Sequence, residues 1–188
     1  MAHSKKTIKI TIILIISLLP LTSITAANLS WTEQIEVDTF GSLRKVERYQ
    51  LKTAEKFYTK GEFAAAAAEY EKYITLYETS NGAAYAQLMW SHCLINQRKV
   101  YTGIRDGFQS VIDYWPNSIE AKTASYLIGK SYKDIGELKK AESAYSKAII
   151  NYPNHHIALL SKWGLSEIAT IKKNEKRLIQ IWEDIALK

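Results

Sequence analysis

The chain has 188 residues, 47% of them hydrophobic, with 25 basic and 19 acidic side chains and one cysteine. That length suits one domain with a sizeable core. A single cysteine excludes a disulfide within the chain and any thiolate metal site.

Residues 1–27 open with Lys5, Lys6 and Lys9, continue as ITIILIISLLPL and end in the small residues TAA. A basic start, an apolar run of about 7–15 residues and a small-residue exit form a secretory signal peptide. Cleavage is expected after Ala27, which makes the protein exported, either periplasmic or secreted. The alternative is an uncleaved N-terminal membrane anchor, although Pro20 interrupts the run and leaves it short of the roughly 20 residues that span a bilayer. No cysteine lies near the exit, so no lipid-linked cysteine is expected. Three of the 25 basic side chains lie in this leader, leaving 22 against 19 acidic, a net +3. That is too small an excess to indicate nucleic acid, and no basic run interleaved with aromatics supplies one.

Residues 28–42 show no repeat signal. Trp31, Ile35, Val37 and Phe40 are expected either to cap the first hairpin or to lie as an extended, partner-binding arm. A helix is expected from Leu43 to Lys60, with Val46, Tyr49, Leu51, Ala54, Phe57 and Tyr58 at helical spacing. Gly61 breaks it, and FAAAAAEYEKYITLY is a strong helix former whose alanines allow close helix approach. Ser80, Asn81 and Gly82 end this first hairpin.

The second hairpin, Ala83 to Pro116, is less regular. His92 stands where a small residue is expected and Ile104 where an alanine is expected. Either this hairpin is splayed, or Ser91 or Cys93 provides the close contact through a small register shift. Cys93 itself reads as a small buried hydrophobe.

The stretch Pro116 to Pro153 is the clearest. Ala124, Leu127, Ile128, Ser131, Tyr132 and Ile135 recur at helical spacing, and Gly136 breaks the pattern. Leu138, Ala141, Ala144, Tyr145, Ala148 and Ile149 resume it until Tyr152-Pro153 stops it. A fourth hairpin follows from Asn154 to Lys188, with Trp163, Leu165, Ile168 and Ile171 on one helix and Leu178, Ile181, Trp182 and Ile185 on the next. Its outer apolar face is either open to a partner or solvated by Lys172, Lys173, Lys176 and Arg177.

Three columns run in step through these hairpins. Turn residues are Gly61, Lys99, Gly136 and Lys173; second-helix aromatics are Tyr70, Phe108, Tyr145 and Trp182; first-helix fillers are Phe57, Ile95, Tyr132 and Ala169. All are separated by 38, 37 and 37 residues. One hairpin cannot bury its apolar stripe alone, so such copies stack.

Chemistry is absent from the pattern. His155 and His156 are adjacent and point about 100° apart on a helix, which makes no chelate. HExxH, GxSxG and phosphate-cradling glycine loops do not occur. The chain therefore reads as a non-enzyme without metal or cofactor.

Gly129, Tyr132, Gly136, Ala141, Tyr145, Ala148 and Pro153 fall where a tetratricopeptide (TPR) repeat places its small, aromatic, turn and stop residues. Residues 43–188 thus resemble the TPR family, with a period about one helical turn longer than the usual 34. The phrases WPNSIEAKTASYLIGKSY and YPNHHIALLSKWGLSEIA are similar to bacterial envelope TPR proteins of the BamD type, from outer-membrane β-barrel assembly, and of the CpoB type. The lipid-linked cysteine and extra repeats of the first type and the N-terminal coiled coil of the second are not matched. The resemblance implies an all-α, right-handed superhelical solenoid of about four hairpins whose first helices line a concave groove. Its inward positions would be Arg48, Leu51, Glu55, Met89, Cys93, Asn96, Tyr126, Lys130, Lys133, Trp163 and Glu167. Phe57, Gly61, Tyr70, Phe108, Pro116 and Trp182 would define the other repeats. The Lys/Asn carboxylate clamp of chaperone-binding TPR domains is not reproduced. The expected role is a non-catalytic protein-protein interaction scaffold or adaptor in the cell envelope, with aid to assembly of an envelope complex as one such role. The alternative is an accessory subunit modulating a cell-wall or secretion enzyme complex. Its partner is a protein or peptide, with docking through the C-terminal repeat as one mode; nucleic acid and a small-molecule substrate are not expected.

Overall fold

The structure, a computed structural model, describes residues 30–186. The leader expected over residues 1–27 lies outside the described residues. A single 3-10 turn spans Ser30–Glu33. A separate compact unit begins at Ile35, and its described residues form helices and no strands.

The order is α1 (Val37–Ser42), α2 (Lys45–Thr59), α3 (Phe63–Leu76) and α4 (Ala83–Asn96). Then α5 runs from Val100–Thr102 through a π-helical turn at Gly103–Phe108 to Gln109–Tyr114. It is followed by α6 (Ile119–Asp134), α7 (Leu138–Asn151), α8 (His156–Ile171) and α9 (Glu175–Ala186). From α2 onward each helix packs on the next, and the first helices of successive hairpins also meet, α4 on α6 and α6 on α8. This is an all-α, TPR-like solenoid of four hairpins.

Local chemistry sets the boundaries. The Ser118 hydroxyl accepts the Ala121 N–H at 3.0 Å and caps α6, while Asn174 accepts the Arg177 N–H at 3.0 Å and caps α9. At α2 the Arg44 N–H donates to the Glu47 carboxylate at 2.6 Å. Pro116 and Pro153 follow the ends of α5 and α7, where neither can continue a helix.

The first helices all end in the same way. Gly61, Arg98, Gly136 and Lys173 have φ of 76°, 63°, 81° and 53°. The next N–H then reaches back five residues: Glu62 to the Phe57 carbonyl at 3.0 Å, Lys99 to Leu94 at 2.9 Å, Glu137 to Tyr132 at 2.9 Å and Asn174 to Ala169 at 2.8 Å. This left-handed closure satisfies carbonyls that the helix end leaves open. It corrects the register of the second hairpin. The turn residue is Arg98 and not Lys99, and the first-helix filler is Leu94 and not Ile95.

The shift explains the irregularity at His92. Counted from the turns, the small-residue column becomes Ala54, Ser91, Gly129 and Ser166, all buried. Nine residues separate turn from aromatic in three hairpins and ten in the second, so one extra residue lies between Arg98 and Phe108. The chain absorbs it as the π turn of α5. Gly103 and Gly107 make this possible. A Cβ on Gly107 would collide with the Ser91 side chain, and one on Gly103 would lie 3.2 Å from the Ser91 carbonyl. The hairpin is not splayed: Ser91 is the close contact.

Three cores follow one another. Leu51, Ala54, Tyr70, Tyr85, Met89 and Cys93 belong to the first, drawn from α2, α3 and α4. Leu88, Ile104, Phe108, Ala124 and Leu127 belong to the second, and Ala141, Tyr145, Leu165, Ile168 and Ile181 to the third. Tyr145 is fully buried between two backbones, and a Cβ on Gly129 or Gly164 would run into its ring. At the N-terminal end Ile35 and Phe40 pack on the first core, whereas Val37, expected to share in that contact, is 85% exposed. At the C-terminal end the buried Lys162 places its ammonium 2.6 Å from Asp184, tying α9 to α8. Ile171 and Ile179 remain exposed there.

Turns and core fix the outcome of three substitutions and of one labelling experiment. Arg98→Gly relieves a left-handed non-glycine residue and raises stability by up to about 1 kcal/mol, while Gly136→Ala costs about 1 kcal/mol. Gly129→Ala, with its methyl 2.5 Å from the Tyr145 ring, costs about 1–3 kcal/mol. Urea titration followed by circular dichroism measures all three. Burial pushes the Cys93 thiol up to about 12, so no thiolate forms at pH 8. Aromatic disulfide reagents should leave native Cys93 unmodified and titrate one thiol once urea unfolds the chain; rapid native labelling would contradict the buried assignment.

Candidate functional site

The first helices α2, α4, α6 and α8 present the candidate surface. Counting from the left-handed turns gives each hairpin a common frame. Ten residues before the turn stand Leu51, Leu88, Tyr126 and Trp163; nine residues after it stand Tyr70, Tyr145 and Trp182, with Phe108 displaced by one. These positions meet across each hairpin. Tyr126 and Tyr145 have ring centroids 5.8 Å apart, and Trp163 meets Trp182 edge to face at 5.2 Å. Leu51 shares the first core with Tyr70, and Leu88 the second with Phe108. Solvent reaches this column only toward the C-terminal half, where Tyr126 is half-buried and Trp163 is 43% exposed.

The expected residues of α4 need correction. Met89 and Cys93 are buried in the first core and offer no surface, and so is Leu51 of α2. The corrected register puts Leu88 and His92 in the columns assigned to Met89 and Cys93. Asn96 is exposed, but its amide donates to the His92 carbonyl at 2.9 Å within its own helix. The α4 face is enclosed because residues from α3, α5 and α6 pack around it.

On α6 and α8 the expected residues do come together. The Lys133 ammonium pairs with the Glu167 carboxylate, joining the two helices. Lys130 pairs with Asp134 at 2.7 Å one turn along α6. Burial raises the Tyr126 phenol to about 12, with the Glu167 and Asp134 carboxylates acting in the same direction. Tyr126, Lys130, Lys133 and Glu167 are therefore an ordered cluster in which lysines and carboxylates largely neutralise one another. It can accept or donate hydrogen bonds along a bound chain, and Trp163 adds an exposed apolar plane beside it.

The α2 residues stand apart from this cluster. Arg48 is half-buried. Glu55 accepts a hydrogen bond from the Tyr85 hydroxyl at 2.9 Å, which joins α2 to α4. Glu55 also borders a shallow depression with Ile35, Val37, Phe40 and Lys52. In the corrected register Tyr85 and His92 take the α4 positions equivalent to Arg48 and Glu55, and both are buried. Their signal was the left-handed Arg98, which a sequence column seeking glycine or the next lysine passes over.

Among the described residues no group of three His, Cys, Asp or Glu side chains could hold a metal ion. His155 and His156 lie with ring centroids 4.2 Å apart at the start of α8. Burial, the neighbouring His156 and Lys122 lower the pKa of His155, and its Nδ1 accepts the Ile157 N–H at 3.4 Å. That nitrogen caps a helix.

Residues 123–155 match the family model of the tetratricopeptide repeat. The match covers most of α6, all of α7 and the turn into α8, the hairpin that holds Tyr145 between Gly129 and Gly164. No curated protein matches the chain.

Proposed function

We propose that this protein is a non-catalytic interaction scaffold of the cell envelope, exported by its leader, that holds a segment of a protein partner along α6 and α8. The observation that carries this reading is the cluster Tyr126, Lys130, Lys133 and Glu167 beside the exposed Trp163. TPR hairpins commonly mediate protein-protein contacts, and on α6 and α8 polar and aromatic side chains of two neighbouring first helices lie together at the surface. Because its charges are paired internally, the cluster suits a peptide with a polar backbone and one apolar or aromatic anchor better than a strongly acidic one. Exposed Ile171 and Ile179 favour a second reading, docking of the last hairpin onto a larger complex as an accessory subunit.

A photo-cross-linking amino acid placed at Trp163 in one version and at Ile179 in another, in cells of the native host, separates the two. Capture of one envelope protein from position 163 supports the groove. Capture from position 179 alone assigns docking to the C-terminal end, and no adduct from either position removes support for both. Trp163→Ala should then weaken the captured partner roughly tenfold, as loss of a central aromatic anchor does, without shifting the urea midpoint by the amount a core substitution would.

A further inference from the structure

The outer face of α2 carries a charge pattern that the scaffold reading does not use. Lys45, Arg48, Lys52 and Lys56 follow at steps of three and four residues, and Lys60 at the C-cap continues the row. At 1.5 Å per residue this stripe is about 22 Å long. The buried face of α2 is formed by Glu47, Gln50, Leu51 and Ala54, and the stripe lies on the opposite face, with Lys45, Lys56 and Lys60 exposed, Arg48 half-buried and the Lys52 ammonium 5.5 Å from the centre of the Phe40 ring. No ion pair among the described residues engages any of the five cations. The two acids of α2 are turned elsewhere: Glu47 is buried and held by Arg44, and Glu55 by Tyr85. Along the stripe stand Tyr49, 75% exposed, and Val46, 56% exposed.

A solvated end face mixes charge signs, as α9 does with Glu175, Lys176, Arg177, Glu183 and Asp184. The exposed face of α2 has cations, an aromatic and an apolar residue, with no acid. We propose that this face docks on an anionic phospholipid surface. Lysines meet the headgroup phosphates, and Tyr49 and Val46 enter the interface, where tyrosine's apolar ring and polar tip fit both environments. A straight, outward-facing row suits a plane. The apolar run at residues 10–21 precedes it by 24 residues, so with the leader uncleaved the same end of the chain carries two membrane signals, and stable association takes two.

The test uses the purified full-length protein, sedimented with phosphatidylcholine vesicles with and without phosphatidylglycerol. The triple variant Lys45→Gln/Lys52→Gln/Lys56→Gln should bind anionic vesicles more weakly by about fivefold per cation removed at low salt. The gap should close as salt is raised. A control pair on α7, Lys139→Gln/Lys147→Gln, should leave binding unchanged. Equal binding of native protein and triple variant overturns the proposal. So does an equal loss on neutral vesicles, or a loss confined to polyglutamate binding, which would assign the stripe to an acidic protein. As a second readout, Tyr49→Cys can be labelled with an environment-sensitive dye, since Cys93 is buried. Its emission should shift to the blue on anionic vesicles only; an unchanged spectrum overturns insertion at this position.

Discussion

The solenoid depends on a bulky ring held between two helix backbones. Tyr145 of α7 fits between Gly129 of α6 and Gly164 of α8, and neither position has room for a methyl group. The ring supplies apolar area, and the two glycines supply the proximity that lets it contact both helices at once. Other hairpins solve the same problem with different residues. Tyr70 packs with Ala54 in the first core, and His92 meets Phe108 edge to face at 5.4 Å. The spacing between hairpins is thus set by matched pairs of large and small side chains, and polar contacts such as Tyr85 with Glu55 or Lys172 with Glu142 at 2.7 Å are added around them.

Most of this was legible from spacing alone, because packing acts on residue size and size recurs. Gly61 and Gly136 could be recognised as turns since glycine reaches left-handed φ without strain. Arg98 could not, because a charged residue in that conformation is held by the bonds around it and not by its own preference. Its misplacement by one position moved the small-residue column from Ser91 to His92 and the groove column from Leu88 to Met89. The aromatic column hid the error: Phe108 is displaced by the π turn, so its 38-residue interval stayed in step with Lys99 although the extra residue lies inside a helix. A π turn has no composition of its own, although the pair Gly103 and Gly107 within one helix was its visible trace.

The candidate surface was less legible than the fold because it depends on what covers each residue. Helical spacing says that Leu51, Tyr126 and Trp163 share a column. It does not say that Leu51 lies beneath other side chains while Trp163 reaches solvent. Pairing is hidden in the same way: Lys133 and Glu167 are 34 residues apart, and only the packing of α6 on α8 makes them one neutral unit. A tally of charges along the first helices therefore overstates the field that a bound chain would meet.

The overlap of the three cores also has a mechanical meaning. Residues of α4 serve the first and second cores, and residues of α6 the second and third. Neither helix can detach without opening two neighbouring cores, whereas α9 is anchored to one core and a single buried lysine. Thermal opening should accordingly begin at the C-terminal end and travel inward, and amide protons of α4 should be among the last to exchange. A partner seated on α8 and α9 would hold the element that opens first, so its binding would register as slower fraying with little change in the shape of the fold.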